Sequence, residues 1–295
     1  AIPTVLTMTV VPILGAGSSM ADYRIGFKWW ALIIAVVFVI SELVCVACVP
    51  ERPVACDEKP GKISDMFKAL FKNDQAMTVV VSIILVYTSL NICGNLVLYF
   101  FRFDVGNEGA YSIFAAVAFA AQVLVMMVIP LLRKRFSKSQ LFISGFIIQI
   151  AGFAVILIMA FAKLYTPQSW YILCLPGILI YLGYGMLNVI MTIFLSDSVD
   201  YGEVMNGTRE ESVIFSMQTF TVKLASGVAV FLAGLVVDWI HLDTAAAVQT
   251  QDTLDALRMW MTIPSVILLI VGIFVFKRFY KLDDTRMEEI KSKLN

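Results

Sequence analysis

The sequence has one histidine, His241, and only five scattered cysteines among 295 residues. A single histidine cannot build a His-rich metal site. Cys45 and Cys48 form a CxxC, but they lie inside an apolar run, so we interpret them as ordinary small residues of a membrane helix. Lysine plus arginine and aspartate plus glutamate balance at 22 each, which excludes a strongly basic nucleic-acid binder. No nucleophile–base pair, metal cluster or phosphate-binding loop is recognisable, so we do not expect an enzyme.

Apolar residues make up 60% of the chain, against about 45–50% in soluble domains. They are concentrated in long runs with little charge, which predicts an all-α membrane protein with several spans. The chain starts at Ala1 inside an apolar run and shows no signal peptide. We therefore expect it to be the C-terminal part of a longer protein.

The apolar runs predict about eight spans. The predicted boundaries are Ala1–Ala16 (truncated), Trp29–Val49, Ala76–Phe101, Ala110–Leu132, Leu141–Ala162, Ser169–Leu195, Ser212–Val237 and Trp260–Phe276. These group into four parts: residues 1–49 with two spans, a linker at 50–75 with an amphipathic helix, a six-span half at 76–276, and a charged tail at 277–295. Most of the 22 lysines and arginines fall in the linker, the loop after Leu132 and the tail. By the positive-inside rule, these parts are predicted to be cytoplasmic.

The stretch from Ser196 to Ser226 carries the most informative charges. An acidic segment, predicted to be a loop, is followed by an apolar run whose single charge is Lys223. Ser216, Thr219, Lys223 and Ser226 share one helical face. A charge in hydrocarbon costs at least about 2.5–3.5 kcal/mol, so this face is expected to meet a water-filled cavity or a partner helix.

Two other predicted spans carry polar side chains on one face. Tyr87, Asn91 and Asn95 are four residues apart, and Tyr184 and Asn188 repeat that spacing. Such faces point into a helical bundle. They either contact a solute or form structural hydrogen bonds between helices.

A motif makes the pattern more specific. It begins with D-x-x-D-Y-G-E from Asp197 to Glu203, continues with Gly207 and Arg209, and ends with Gln218-Thr219 and Lys223 in the next span. This resembles the glycoside–pentoside–hexuronide:cation symporters of the major facilitator superfamily. The two spans, linker, six spans and tail are similar to the last two-thirds of such a twelve-span transporter.

The resemblance implies a sugar or glycoside carried together with Na⁺ or H⁺ by alternating access, with the solute bound between two six-helix halves. It implies no cofactor besides the coupling ion, whose carboxylates are expected on helices of the N-terminal half. Lys223 matches the lysine that faces them, with a purely structural ion pair across the halves as the alternative. Asn188 occupies a position where an aromatic residue is common, which leaves the sugar open.

The candidate substrate-binding residues are Gln218, Thr219, Val222, Lys223, Asn188, Tyr184, Asn91 and Asn95. The candidate cytoplasmic gate consists of Asp197, Asp200, Tyr201, Glu203 and Arg209, with solvated surface charges as the alternative interpretation. We expect a location in the cell (inner) membrane. Other possibilities are a related carrier of a non-sugar solute, such as a lysolipid, and a membrane sensor without flux. The sensor is disfavoured because no folded soluble domain is recognisable.

Overall fold

The computed structural model describes residues 10–15, 20–48, 71–207, 211–244, 246 and 248–294. Among these residues the regular structure is helical, and no strand occurs. Seven of the helices in the described ranges are long and apolar enough to cross a membrane. The chain divides into two units, residues 1–61 and 62–295, which are described separately. The prediction of an all-α, multi-span protein is confirmed.

The first unit contains a short helical stretch at residues 10–15 and helix α1, Met20–Cys48. The apolar part of α1, Arg24–Cys48, corresponds to the predicted span Trp29–Val49. The predicted span Ala1–Ala16 lies largely outside the described residues. The same holds for the amphipathic segment of the predicted linker.

From residue 74 on, the described residues of the second unit form seven helices and two short helical turns. The helices are α2 (Asp74–Tyr99), α3 (Ala110–Leu132), α4 (Lys138–Phe161), α5 (Cys174–Asn206), α6 (Glu211–Trp239), α7 (Gln251–Phe279) and α8 (Asp284–Leu294). A π-helical turn, Phe100–Asp104, extends α2, and a 3₁₀ turn, Trp170–Leu173, precedes α5. The charged tail therefore includes a helix, α8.

Helix α2 occupies the centre of this unit, where it contacts α5, α6 and α7. Helices α4 and α5 pack closely because glycines face each other. A Cβ atom added at Gly183 would lie 2.6 Å from the backbone nitrogen of Gln149 and 2.6 Å from the carbonyl oxygen of Gly145. At Gly152 it would lie 2.7 Å from the backbone nitrogen of Ile180. Small residues of this kind let helix backbones approach inside a membrane.

Three phenylalanines join α4, α5 and α7 near the tail. The ring centroids of Phe142 and Phe194 are 5.1 Å apart, those of Phe142 and Phe276 are 4.5 Å apart, and those of Phe194 and Phe276 are 5.2 Å apart. All three side chains are buried. Such contacts stabilise beyond the burial of area, and they fix the end of the bundle where the D-x-x-D-Y-G-E motif lies.

The acidic segment is helical, so its prediction as a loop is wrong. Helix α5 continues through Asp197, Asp200, Tyr201 and Glu203 to Asn206, and it ends at Gly207. Gly207 has φ +72° and donates its N–H to the carbonyl of Glu203. This left-handed cap is a common helix end. The helix extends beyond the apolar run because backbone hydrogen bonds hold it, and these form with polar as well as apolar side chains.

Candidate functional site

The polar side chains predicted on one face of α2 are linked along the helix by hydrogen bonds. Asn91 donates its amide N–H to the carbonyl of Tyr87 at 2.7 Å, and Asn95 donates to the carbonyl of Asn91 at 2.7 Å. Both asparagines are half-buried. Within the described residues, no hydrogen bond engages their side-chain oxygens. These two amide oxygens are therefore available to accept hydrogen bonds from other donors.

Helix α5 meets this face through a tyrosine–asparagine contact. The amide nitrogen of Asn188 donates to the Tyr87 hydroxyl at 2.6 Å and lies 3.4 Å from the Tyr184 hydroxyl. The two tyrosine rings are edge to face, with centroids 5.5 Å apart. A phenol hydroxyl can both donate and accept a hydrogen bond, so this pair can take part in a wider polar network.

Helix α6 joins the same surface one turn further along α5. Thr192 donates its hydroxyl to the carbonyl of Asn188 at 3.1 Å, and the Gln218 amide nitrogen lies 3.5 Å from the Thr192 hydroxyl. Gln218 and Val222 are both half-buried and one turn apart on α6. Polar side chains thus connect α2, α5 and α6. We call Tyr87, Tyr184, Asn188, Thr192 and Gln218 the central polar site.

Thr219 and Lys223 lie on the exposed surface of α6 instead. Thr219 donates its hydroxyl to the carbonyl of Phe215, within its own helix, at 3.3 Å. Ser216 and Lys223 are exposed and Ser226 is half-buried. In the described part of the chain Lys223 forms no ion pair. The polar face predicted around Lys223 is therefore not packed against the helices of the second unit, and the partner of its charge stays a prediction.

Two members of the central polar site were absent from the sequence-based candidates. Tyr87 lies on the same helical face as Asn91 and Asn95, so the spacing of that face already pointed to it. Thr192 follows Tyr184 and Asn188 at the same four-residue spacing, so extending that pattern by one turn would have found it.

Asp197 lies in a buried ion pair within this half of the protein. Its carboxylate pairs with the ammonium of Lys138, the first residue of α4, and their side chains are 6% and 10% exposed. Lys138 also lies 3.6 Å from the carboxylate of Asp284 on α8, which is 3.4 Å from Arg133. These four charges connect α5, the end of α3, the start of α4 and the tail helix α8. The assignment of Asp197 to a gate stays a prediction. Its ion-pair partner, Lys138, belongs to the same unit as Asp197.

The glycine and tyrosine of the motif have distinct contacts. A Cβ atom at Gly202 would lie 2.8 Å from the side-chain nitrogen of Asn73, which donates to the carbonyl of Ser198 at 2.8 Å. A larger residue at position 202 would displace the Asn73 amide from this hydrogen bond. Tyr201 packs against the small apolar cluster of the tail, which comprises Leu282, Met287 and Ile290. Asp200 and Glu203 are half-buried on the same segment, and Arg209 lies outside the described residues.

The opposite end of the bundle holds a second buried ion pair, which the sequence did not reveal. Arg258 of α7 donates through Nε and Nη2 to the two carboxylate oxygens of Asp104, at 2.9 and 2.5 Å. Both side chains are 3% exposed. The Tyr165 hydroxyl donates to the same carboxylate at 2.6 Å. Burial, reinforced by this hydrogen bond, raises the pKa of Tyr165, so the hydroxyl stays protonated.

Metal ligands do not gather anywhere in the described ranges. No group of three or more His, Cys, Asp or Glu side chains there could hold a metal ion. The expected carboxylates for a coupling cation are predicted on helices of the N-terminal half. That prediction is untouched by the geometry of the second unit.

An apolar bundle with internal polar contacts and buried charge pairs at both ends defines an all-α, multi-pass membrane protein. The chain belongs to the family described as MFS/sugar transport protein, whose family model matches residues 1–284. This confirms the resemblance to major facilitator sugar symporters. The family is one of transport proteins rather than enzymes.

Individual relatives have low sequence identity to this chain, but the alignments cover most of it. The chain is 25% identical over 254 residues to the uncharacterised symporter YjmB of Bacillus subtilis, covering 85% of this chain and 54% of the relative. It is 23% identical over 297 residues to a raffinose carrier protein of Pediococcus pentosaceus, covering 98% and 45%. It is 25% identical over 281 residues to an isoprimeverose transporter of Lactiplantibacillus pentosus, covering 94% and 56%. The chain thus spans about half the length of these curated relatives.

Proposed function

We propose that the protein is a secondary transporter that moves a sugar or glycoside across the membrane together with Na⁺ or H⁺. The observation that carries this proposal is the central polar site, in which hydroxyl and amide groups from α2, α5 and α6 come together inside a membrane bundle. Membership of a sugar transport family supports it. So do the names of relatives that carry raffinose and isoprimeverose.

The chemistry of the site suits a polyhydroxylated solute. Sugar hydroxyls both donate and accept, and the site offers both kinds of partner. The side-chain oxygens of Asn91 and Asn95, beside the central polar site on α2, can accept, the phenols of Tyr87 and Tyr184 can donate, and the Gln218 amide can do either. The tyrosine rings supply an aromatic surface on which an apolar sugar face can pack. We assign Asn188 the task of holding Tyr87 in place, since its amide is already bonded to that phenol.

Lys223 is proposed to serve the coupling ion. When the cation leaves, a nearby ammonium can neutralise the emptied carboxylates, which avoids bare negative charge in the membrane. The exposed position of Lys223 on α6 leaves it available to groups of the other half. Thr219, one turn away on the same face, would contact solute in the same cavity. The coupling ion is the only additional component that this mechanism requires.

We further propose that Asp197, Asp200, Tyr201, Glu203 and Arg209 form the cytoplasmic gate. Arg209 would pair with acidic residues of this segment in one state and release them in the other. In this orientation the linker and the tail are cytoplasmic, and the protein resides in the cell membrane. The buried pair of Asp197 with Lys138 would anchor the segment while its half-buried neighbours exchange partners.

The test is uptake by the intact protein in proteoliposomes, with a panel of mono-, di- and trisaccharides and with or without a Na⁺ or H⁺ gradient. We expect at least one sugar to accumulate when a gradient is applied. Gln218→Ala should reduce that uptake more than tenfold. Gln251→Ala makes the same chemical change at an exposed residue and should leave uptake unchanged. Equal behaviour of the two variants would remove Gln218 from the site.

Two further variants separate coupling from gating. Lys223→Ala should abolish stimulation by the gradient while the protein still reaches the membrane, and retained stimulation would exclude Lys223 from coupling. Arg209→Gln should slow transport more than it weakens sugar binding, and a pure loss of affinity would argue against the gate. Accumulation of lysolipid instead of sugar would favour the non-sugar carrier, and binding of a solute without flux would favour the sensor.

A further inference from the structure

A groove of about 540 Å³ lies between α2 and α6, beyond the central polar site. Its polar lining comes from Asn95 and Tyr99 of α2 and from Asp238 near the end of α6. Asn95 follows Tyr87 by two helical turns, which places the groove about 12 Å or more from Tyr87 along the helix axis. The groove is therefore separate from the central polar site but lies on the same side of α2.

The shape of the groove depends on a glycine. Gly234 lines it, and a Cβ atom added there would meet no other atom within 4 Å. A side chain at this position would occupy the open volume without displacing a neighbour. The volume falls within the range of about 300–1,000 Å³ that is usual for small-molecule sites. The groove is open along α6, and its volume is comparable to that of a bound small molecule.

The polar groups of the groove can form hydrogen bonds with a polyhydroxylated solute. Asp238 is exposed, and no side-chain hydrogen bond or ion pair engages it within the described ranges. An ionised carboxylate accepts hydrogen bonds through two oxygens, which suits neighbouring sugar hydroxyls. Tyr99 adds a half-buried ring, and Asn95 adds an amide oxygen. Val230 and Leu235 supply apolar walls, as in small-molecule pockets generally.

We propose that the α2–α6 groove is a second carbohydrate-binding site, which holds the sugar before it reaches the central polar site. This inference rests on the proposed function, since it names a further contact for the same solute. The groove lies at the end of the bundle opposite the tail helix, because α2 and α6 both begin near the tail and end at the groove. The site therefore serves sugar arriving from the side opposite the tail.

The experiment measures initial uptake rates of the sugar identified for the intact protein, as a function of sugar concentration on the side opposite the tail. Asp238→Asn removes the charge, and Gly234→Leu fills the groove without touching a polar group. We expect each variant to raise KM about tenfold or more, because Asp238→Asn weakens hydrogen bonds to a charged group and Gly234→Leu occupies the volume that the sugar would fill. Vmax should stay near the wild-type value, because the central polar site is intact. Sugar supplied from the tail side should be transported with unchanged KM.

A matched control is Asp252→Asn, which removes an exposed carboxylate at the same end of the bundle but outside the groove. It should leave KM unchanged. If both groove variants keep the wild-type KM, the second site is refuted while the proposed function stands. If they lower Vmax alone, the groove is a surface that closes during transport and not a sugar site. If the wild-type protein transports no sugar, the proposed function fails, and this inference fails with it.

Discussion

Replacement of Arg258 by methionine should destabilise the protein strongly, because it leaves a carboxylate buried without its cation. Asp104 accepts three hydrogen bonds, two from Arg258 and one from Tyr165. After Arg258→Met only the bond from Tyr165 is left, on a carboxylate that is 3% exposed. Breaking one side of a buried ion pair costs about 3–5 kcal/mol. We expect a loss of that order in the free energy of unfolding.

The second partner of Arg258 should contribute little to this loss. Asp255 lies 2.7 Å from the guanidinium, but its side chain is 36% exposed. Water can therefore replace the lost contact, as it does for surface pairs in general. The destabilisation should come from Asp104, and a second substitution can test this. In Asp104→Asn with Arg258→Met no uncompensated charge is buried, so we expect the double variant to be more stable than Arg258→Met alone.

The assay is the midpoint of thermal unfolding of the intact protein in detergent, followed at a fixed scan rate. Arg102→Met serves as the matched control. Arg102 is 3.7 Å from Glu108, and both side chains are about half exposed at 44% and 55%. This variant should unfold close to the wild-type midpoint. An Arg258→Met midpoint as high as that of the control, or a double variant no more stable than the single one, would refute the reasoning.

Three further predictions concern packing and the tail. Gly183→Ala should lower the free energy of unfolding by about 1–3 kcal/mol, and with it the unfolding midpoint. The added Cβ would collide with backbone atoms of α4. Gln149→Met should raise the free energy of unfolding by about 1–3 kcal/mol, and with it the midpoint, because neither atom of the buried Gln149 amide has a hydrogen-bond partner among the described residues. Asp284→Asn should leave the midpoint nearly unchanged but speed amide hydrogen exchange in α8, because it removes the contacts of the tail with Lys138 and Arg133.

Each of the three has a direct check. Gly227→Ala is the control for Gly183→Ala, since a Cβ there would meet nothing within 4 Å. Similar midpoints for these two variants would contradict the close α4–α5 approach. A lower midpoint for Gln149→Met would show that its amide is satisfied in the folded protein. For the tail, Glu288→Gln should leave exchange unaltered, and equal exchange in both tail variants would mean that the ion pairs do not hold α8.

The sequence predicted the architecture well because apolar runs report directly on membrane helices. It located the polar faces of α2, α5 and α6, and the structure brings Asn188 and Gln218 into one connected site. It also singled out the segment around Asp197, but not its helical form. An apolar-run criterion ends a span at the first charges, whereas the α5 backbone continues to Asn206.

The charge pairs could not have been predicted in the same way. Asp104 and Arg258 are 154 residues apart, and both lie next to apolar runs where charges are normally read as membrane boundaries. Lys138 was counted among the positive charges that set orientation, although it is buried against Asp197. Which distant charges meet depends on how the helices pack. Helix packing is determined by many apolar contacts between distant residues, so no local sequence spacing predicts which charges will meet.

The π-helical turn Phe100–Asp104 makes the length of the chain at this point critical. The turn holds one more residue per hydrogen-bonded loop than an α-helix would, with Val105 donating to the carbonyl of Phe100. Each residue of a helix adds about 100° of rotation, so removing one residue here would swing Asp104 far from the guanidinium it faces. Connections at the rim of a membrane bundle usually tolerate single-residue deletions, but this one should not. Natural or engineered variants shortened at this turn should therefore be rare among functional sequences.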